Sequence, residues 1–393
     1  MYKALTDERA AIIEVVRDFA SAELAPHAGR WDAEKFFPVE TLRAAGALGL
    51  GGICVHEDVG GSDLSRLDAA AIFEQLAQGD TTIAAYISIH NMVAWMIDSF
   101  GDAAQRQRWL PRLTSMQDLG SYCLTEPGAG SDAAALTTSA RRDGDDYVLN
   151  GVKQFISGAG AADVYVVMAR TGEQGAKGIS AILVPRDAAG LSFGPLEKKM
   201  GWNAQPTRQV ILDDVRVPAD HRLGAEGDGF GIAMKGINGG RLNIAACSLG
   251  GAQWALDRAV EYVQQREAFG AALAANQSVV FTLAEMEIQL QASRALLERA
   301  AQKMDDSAPD VAVACAMAKR FATDAAFDVA NTALQLHGGY GYLQEYGIER
   351  VVRDLRVHQI LEGTNEIMTL IVGRGLLASS PDTRPRVLDE GRE

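Results

Sequence analysis

The hydrophobic period of this chain changes twice. From Asp7 to about Leu119 apolar residues recur at helical spacing, as in Ala11-Ile-Ile-Glu-Val-Val-Arg-Asp-Phe-Ala20 and Ala69-Ala-Ala-Ile-Phe-Glu-Gln-Leu76, with a glycine-rich break at Gly60-Gly61. Between Ser121 and about Leu223 the spacing becomes that of strands: Val164-Tyr-Val-Val-Met168, Ile179-Ser-Ala-Ile-Leu-Val184 and Val210-Ile-Leu-Asp-Asp-Val-Arg-Val217. Asp143-Gly144 and Asn150-Gly151 read as hairpin turns on either side of Tyr147-Val-Leu149. Helical spacing returns from about Phe230 to Leu377, with long amphipathic segments at 253–265, 279–303 and 311–336. An order of helices, strands and helices without βαβ alternation argues against a Rossmann arrangement. The prediction is an α+β fold: an N-terminal helical domain over 1–120, a middle antiparallel β domain over 121–226, and a C-terminal four-helix-bundle-like domain over 227–378. The polar tail at 379–393 reads as disordered.

Length and charge narrow the functions open to such a chain. At 393 residues it is too long for one core. With 37 basic and 51 acidic residues it carries a net charge of −14, which disfavours general binding to nucleic acid, where a basic face must neutralise phosphates. No apolar run reaches the roughly 18 residues that span a bilayer, and the first residues match neither a signal nor a transit pattern, so the expectation is a cytoplasmic protein without membrane insertion. Cys54, Cys123, Cys247 and Cys315 lie far apart with no Cys-x-x-Cys or His-x-x-x-His, so neither a disulfide frame nor a metal site is expected.

Two segments carry candidate chemistry. His358-Gln-Ile-Leu-Glu-Gly-Thr-Asn-Glu-Ile-Met368 places Glu362 on a glycine turn before an apolar helix. Desolvation behind Ile360-Leu361 would raise its pKa and suit it to proton abstraction. Gly363 would allow close approach to the backbone, Thr364 can cap the helix, and Glu366 suits the dipole of its first turn. A plain helix N-terminus with two solvated acids explains this segment equally well. The second is Tyr122-Cys-Leu-Thr-Glu-Pro-Gly-Ala-Gly-Ser-Asp132, where Gly128 and Gly130 could turn N–H groups inward as an anion nest, with Thr125 and Ser131 as further donors. A set of ordinary turns is the alternative.

These two segments and Leu336-His-Gly-Gly-Tyr-Gly-Tyr342, in this order, resemble the acyl-CoA dehydrogenases, and the likeness runs from about Leu5 to Leu377. The resemblance implies the acyl-CoA dehydrogenase fold, FAD as cofactor, and Glu362 as the base that removes the proton α to a thioester while a hydride leaves the β-carbon for flavin N5. Hydrogen bonds from the flavin ribityl hydroxyl and the Glu362 backbone N–H would stabilise the developing enolate. FAD contacts carried over by position are Tyr122, Leu124, Thr125, Gly130 and Ser131, then Phe155, Ile156 and Ser157, then Thr364, Asn365 and Glu366. Arg266, Asn276, Gln277, Gln335, Leu336, His337, Gly338 and Gly339 match positions that reach the FAD of a neighbouring subunit, which implies a homotetramer with shared sites. Ser131, Asn238, Gly239, Gly240, Arg241, Gly363 and Arg374 match acyl-CoA contacts. For Arg241 the alternative is a surface salt bridge.

Within the family, Ser65-Arg-Leu-Asp68, Ala85-Tyr-Ile-Ser-Ile-His-Asn-Met92, Trp95-Met-Ile-Asp-Ser-Phe-Gly101, Gly201-Trp-Asn203 with Gln205-Pro-Thr-Arg208, and Gly236-Ile-Asn-Gly-Gly-Arg241 resemble the branched short-chain members. The implied reaction converts isobutyryl-CoA to methacrylyl-CoA in valine catabolism and passes electrons to electron-transfer flavoprotein; butyryl-CoA or 2-methylbutyryl-CoA are the alternatives, and a catalytically silent flavoprotein is a third. Gly240 stands where isovaleryl-type relatives carry their base, which disfavours isovaleryl-CoA. The Gly239-Gly240 pair is expected to leave room for an α-methyl branch, and Tyr86 to shorten the acyl pocket. Phe155 stands where many relatives have tryptophan and keeps an aromatic wall.

Overall fold

The structure, a computed structural model, describes residues 7–378; the tail at 379–393 lies outside the described residues. The N-terminal helices are α1 (Asp7–Phe19), α2 (Ala28–Glu34), α3 (Val39–Ala47), α4 (Arg66–Gly79), α5 (Thr81–Phe100) and α6 (Ala103–Thr114). Their starts are specified locally. Ser65 and Asp68 form a capping box for α4, Asp80 accepts from Ile83 N at 2.9 Å to cap α5, and Asp102 and Gln105 form a second box for α6. Helix α5 is buried almost all round its circumference, as a helix at the centre of a bundle must be.

Strands β1 (Gly120–Cys123), β2 (Ser139–Asp143), β3 (Asp146–Ser157), β4 (Val164–Arg170), β5 (Ile179–Pro185), β6 (Leu191–Phe193), β7 (Thr207–Pro218) and β8 (Arg222–Leu223) form one sheet in the order β6-β7-β3-β2-β4-β5-β8. The pairing is predominantly antiparallel, as expected, with two parallel contacts that the sequence pattern did not reveal: β1 lies along β4, and β2 touches it at Ser139 and Arg170. Asp143-Gly144 does turn the β2–β3 hairpin. Asn150-Gly151 does not turn; it is an irregularity within β3, which continues alongside β7. The Asn150 side chain exchanges hydrogen bonds with Asp214 at 2.9 Å, and Gly151, at φ +151°, lies so close to Thr138 that a Cβ would come within 2.4 Å of its hydroxyl. An Asx-Gly pair thus serves a bulge as readily as a turn.

The C-terminal part consists of α7 (Gly229–Gln265), α8 (Gln277–Asp305), α9 (Val311–His337), α10 (Ile348–Arg356) and α11 (Asn365–Ala378), with a small hairpin of β9 (Glu267–Ala268) and β10 (Ala271–Ala272) after α7. Helix α7 runs for 37 residues and packs at short range through glycine: a Cβ on Gly250 would lie 2.1 Å from Glu74 O of α4. Leu42 and Phe73 from the first helices, Leu149 and Val167 from the sheet, and Leu249 and Leu290 from the last helices share one buried cluster. Ionic ties cross the same seams. Arg353 on α10 meets Asp32 on α2 at 2.7 Å, and Asp32 also accepts from Asn203 at 2.9 Å. Among the described residues no helix is long and apolar enough to cross a membrane.

Candidate active site

Glu362 stands between a single 3-10 turn (Val357–Gln359) and α11, and its backbone is left-handed at φ +55°, followed by Gly363 at +91°. A non-glycine residue in this region is strained and must be held by its surroundings. Arg241, itself buried, donates from Nε to Glu362 O at 3.0 Å and from Nη1 to Asn238 Oδ1 at 2.8 Å. Lys319 on α9 donates from Nζ to Gly363 O and to Asn365 Oδ1, both at 2.8 Å. Asn365 passes its amide hydrogens to Thr323 Oγ1 at 3.0 Å and Asp324 Oδ1 at 2.7 Å. Two consecutive carbonyls around the turn are therefore fixed by cations from two helices. Thr364 caps α11 weakly, accepting from Ile367 N at 3.4 Å, and the exposed Glu366 is held below the usual carboxylate range by the helix-start N–H and Thr364.

The side chain of Glu362 lies against α7 at Gly240: a Cβ there would be 2.9 Å from the Glu362 carboxyl carbon. Burial raises the carboxyl to about 7, and the nearby Arg241 and Lys319 charges oppose but do not cancel this. A carboxylate poised near neutrality on a rigid turn can take a proton from a weak carbon acid. The Tyr122 phenol faces it. Its oxygen is buried without a partner, and burial first, then the Glu362 charge, pushes its pKa well above the ordinary value.

Two expectations change at this site, those for the Gly239-Gly240 pair and for the setting of Arg241. Gly239 and Gly240 do not open one lateral space: Gly240 admits the Glu362 carboxylate, whereas a Cβ at Gly239 would come 2.8 Å from an Arg66 guanidinium nitrogen. Arg241 is no surface salt bridge, since it binds a backbone carbonyl from a buried position. Tyr86 is wholly buried, its hydroxyl donating to Gly120 O at 3.3 Å and its ring edge-on to Phe37. Arg374 lies exposed on α11.

The 122–131 loop is anchored by a pair that sequence reasoning missed. Lys153, fully buried on β3, donates to Glu126 Oε1 at 2.9 Å and Leu124 O at 3.1 Å. Glu126 also accepts from Thr138 N, Thr137 N and Thr137 Oγ1. Burial works against the charged Glu126, but Lys153 and these donors outweigh it and hold the carboxyl down at about 2. Gln154 N reaches Thr125 O at 2.8 Å. The nest expected of Gly128 and Gly130 is absent in that form, because neither has positive φ; instead Glu126 and Ala129 close a four-residue turn. A Cβ on Gly128 or Gly130 would meet nothing within 4 Å, and Gly130 and Ser131 are exposed.

Phe155 completes this face. It sits at a second bulge of β3 with φ +58° and is 64 % exposed, while Ile156 beside it is buried and Ser157 takes the Ser121 hydroxyl on its carbonyl at 2.7 Å. A strained, displayed aromatic ring, one residue from the Gln154 tie to an open loop backbone, suits a flat polar cofactor. Thr364, Asn365 and Glu366 line a separate cavity of about 390 Å³ with Arg320, Asp324, Arg356 and Gln359. Arg266, Gln335, Leu336, His337, Gly338 and Gly339 line another of about 370 Å³ that shares none of those residues. There His337 stacks on Tyr262 at 4.4 Å and Arg266 lies 5.6 Å over Tyr340, while Gly338 and Gly339 leave their surroundings open. Asn276 and Gln277, exposed at the start of α8, do not line that cavity. Lys319 also escaped the sequence reading. Its signal was a lysine three and four residues from Ala316, Cys315, Ala322 and Thr323, a stripe that is otherwise small and buried.

Comparison with known proteins gives the family and the fold. The models of the acyl-CoA dehydrogenase N-terminal, middle and C-terminal domains match residues 6–117, 121–215 and 227–377. The chain is 53% identical over 373 residues to the mitochondrial isobutyryl-CoA dehydrogenase of Bos taurus and 52% identical to that of Dictyostelium discoideum, in each case across 95% of this chain and 90% of the relative. Among solved structures, butyryl-CoA dehydrogenase from Megasphaera elsdenii superposes with a TM-score of 0.93 at 39% identity, covering 96% of this chain and 100% of that one. Matched over nearly its whole length, the chain belongs to the acyl-CoA dehydrogenase family of FAD-dependent oxidoreductases.

Proposed function

We propose that the protein removes hydrogen from Cα and Cβ of a short branched acyl-CoA, converting isobutyryl-CoA to methacrylyl-CoA, with Glu362 as the base. The observation that carries this reading is the Glu362 carboxylate, desolvated to a pKa of about 7 on a turn whose two carbonyls are held by Arg241 and Lys319. Glu362 would take the α-proton of the thioester. Arg241 and Lys319 would keep its carboxylate over Gly240 rather than contact the acyl group themselves. Bound FAD would accept the β-hydride. Phe155, Ile156 and Ser157 would flank its ring, and Tyr122, Leu124, Thr125, Gly130 and Ser131 would hold it through loop backbone and hydroxyls. Ser131, Asn238, Gly363 and Arg374 would contact the acyl-CoA, with Gly239 and Gly240 shaping the helix beside it.

Thr364, Asn365 and Glu366 line one cavity and Arg266 with the 335–339 turn another that shares no lining with it, which supports FAD sites completed by a second subunit; Asn276 and Gln277, outside both cavities at the exposed start of α8, would join from the neighbour. A homotetramer that reduces electron-transfer flavoprotein, working in valine breakdown, is the corresponding assembly and role. The similarity to isobutyryl-CoA dehydrogenases favours isobutyryl-CoA over butyryl- and 2-methylbutyryl-CoA, and the glycine at position 240 disfavours isovaleryl-CoA. An anaerobic titration of the flavin absorbance with these four thioesters tests the reading. Preferential bleaching by isobutyryl-CoA is expected; faster bleaching by another moves the substrate, and a flavin that none of them bleaches overturns the activity.

A further inference from the structure

His358, four residues before Glu362, is wholly buried with both ring nitrogens engaged. Trp202 Nε1 donates to His358 Nε2 at 3.2 Å, and His358 Nδ1 lies 2.7 Å from Ser248 Oγ. An indole N–H only donates, so Nε2 is the bare nitrogen and the proton sits on Nδ1. Ser248 accepts it and gives its own hydrogen to Ile244 O at 2.7 Å. This tautomer is the one that satisfies every partner. Burial, with the Lys319 charge, holds the imidazole down at about 3, so it stays neutral.

The indole at the end of this chain is fixed from all sides. Trp202 is left-handed at φ +54°, its N–H donates to Asp354 Oδ1 at 2.6 Å, and its carbonyl accepts from Lys199 Nζ at 2.7 Å. Its ring forms a buried cluster with Ala85 of α5 and Ile244 of α7, against which Ile89, Val357 and Leu361 pack. Ile244 is one turn along α7 from Gly240, where the Glu362 carboxylate rests, and Leu361 immediately precedes Glu362. The exposed or half-buried positions of α7 near Gly240 lie only towards its N-terminus. Gly231 and Lys235 are exposed and Asn238 is half-buried, whereas residues 242–252 are buried. An acyl-CoA presenting its α-carbon to Glu362 from that side would point its chain one turn deeper, at the indole.

We propose that Trp202 is the end wall of the acyl pocket and sets the acyl-length limit, and that His358 is the positioning residue that holds the indole across it. This rests on Glu362 as the base and on an acyl-CoA substrate. The wall is rigid because its one polar atom has a dedicated acceptor on the base-bearing segment.

The test compares kcat/KM for isobutyryl-, butyryl-, hexanoyl- and octanoyl-CoA in flavin-loaded protein. Trp202→Ala should raise the hexanoyl-to-isobutyryl ratio by about tenfold or more, the scale on which pockets sort methylenes. Trp202→Phe keeps a ring in the cluster and should give a smaller rise in the same direction; it decides alone if the alanine variant fails to hold flavin. His358→Leu should relax the ratio and raise KM for isobutyryl-CoA more than it lowers kcat, while His358→Gln, whose amide oxygen can accept from the indole, should restore both. Unchanged ratios in the flavin-loaded Trp202 variants overturn the wall, and equal effects of the leucine and glutamine variants overturn the positioning role. The wild-type profile tests the short-chain reading separately: a preference for octanoyl-CoA sinks that reading, whereas the ratio between variant and wild type judges Trp202.

Discussion

The Glu362 carboxylate occupies the space that any side chain on Gly240 would take, with all three of its terminal atoms within 3.0 Å of a Cβ built there. Helix α7 therefore supplies a surface for the base instead of a residue. Gly240→Ala should displace the carboxylate by a fraction of an ångström to an ångström. A displacement of that size costs about 100-fold in kcat. Steady-state kinetics of the flavin-loaded variant should show the fall in kcat with KM changed less, and an unaltered kcat would mean that the carboxylate has room to spare.

The pH behaviour of Glu362 should run in opposite directions for activity and stability. Its folded pKa of about 7 is raised from an ordinary 4.5, so the folded state favours the protonated acid. Stability from this group is complete below about 4.5 and is lost as the pH rises to about 7. Activity, which needs the carboxylate, should rise through the same window, with an apparent pKa of about 7 in kcat/KM. Glu362→Gln should lower turnover by about three orders of magnitude while flavin stays bound. The variant should also lose less Tm between pH 5 and 8 than the wild type does. Some loss should persist, because buried Asp354 is likewise raised to about 7.

Lys319→Met removes the donor to the Gly363 carbonyl and to Asn365 and takes one cation from beside Glu362. Leaving these acceptors unpaired should cost about 1–3 kcal/mol, read as a lower Tm. The acid limb of the pH profile should also move upward, since Lys319 lowers the Glu362 pKa. A Tm loss with an unmoved acid limb would limit Lys319 to a structural part.

Lys153→Met leaves Glu126 buried without its cation. Breaking a buried pair on one side costs about 3–5 kcal/mol, and here the strain falls on the 122–131 loop. Weaker flavin retention on gel filtration, with the loop more accessible to protease, is the expected result. Lys153→Arg should not restore it, because the buried site admits a single ammonium between Glu126 and Leu124 O.

What could be read in advance followed from local chemistry. Helical spacing located α1, α4, α8 and α9, β-rich runs located β4, β5 and β7, and the Leu361-Glu-Gly-Thr turn marked Glu362 as a candidate because a glycine and a capping threonine flank one acid, with a plain helix start as the equal alternative until the family resemblance favoured a base. The surroundings of that acid were not legible. Lys319 and Arg241 act on backbone carbonyls far away in sequence, and no spacing rule links a helix lysine to a turn more than forty residues later. Gly128 and Gly130 misled for the opposite reason: a glycine permits positive φ without requiring it. Asn150-Gly151 was read as a turn because the pair fits either a hairpin or a bulge, and only the partner strand β7 decides between them.

Helix α7 carries Gly240 under the Glu362 carboxylate and, about six turns on, Tyr262 at the wall of the second cavity, a separation of roughly 33 Å at 1.5 Å per residue. One unbroken rod thus sets the spacing between the two places where, on the proposed reading, a subunit would touch cofactor. Such a helix is a ruler: in the proposed assembly, copies docked with this span matched to one elongated molecule would complete each other's sites together, and a residue inserted or deleted between Gly240 and Tyr262 would turn one end by about 100° relative to the other. The length and phase of the middle of α7 would therefore matter to that spacing whatever side chains it carries.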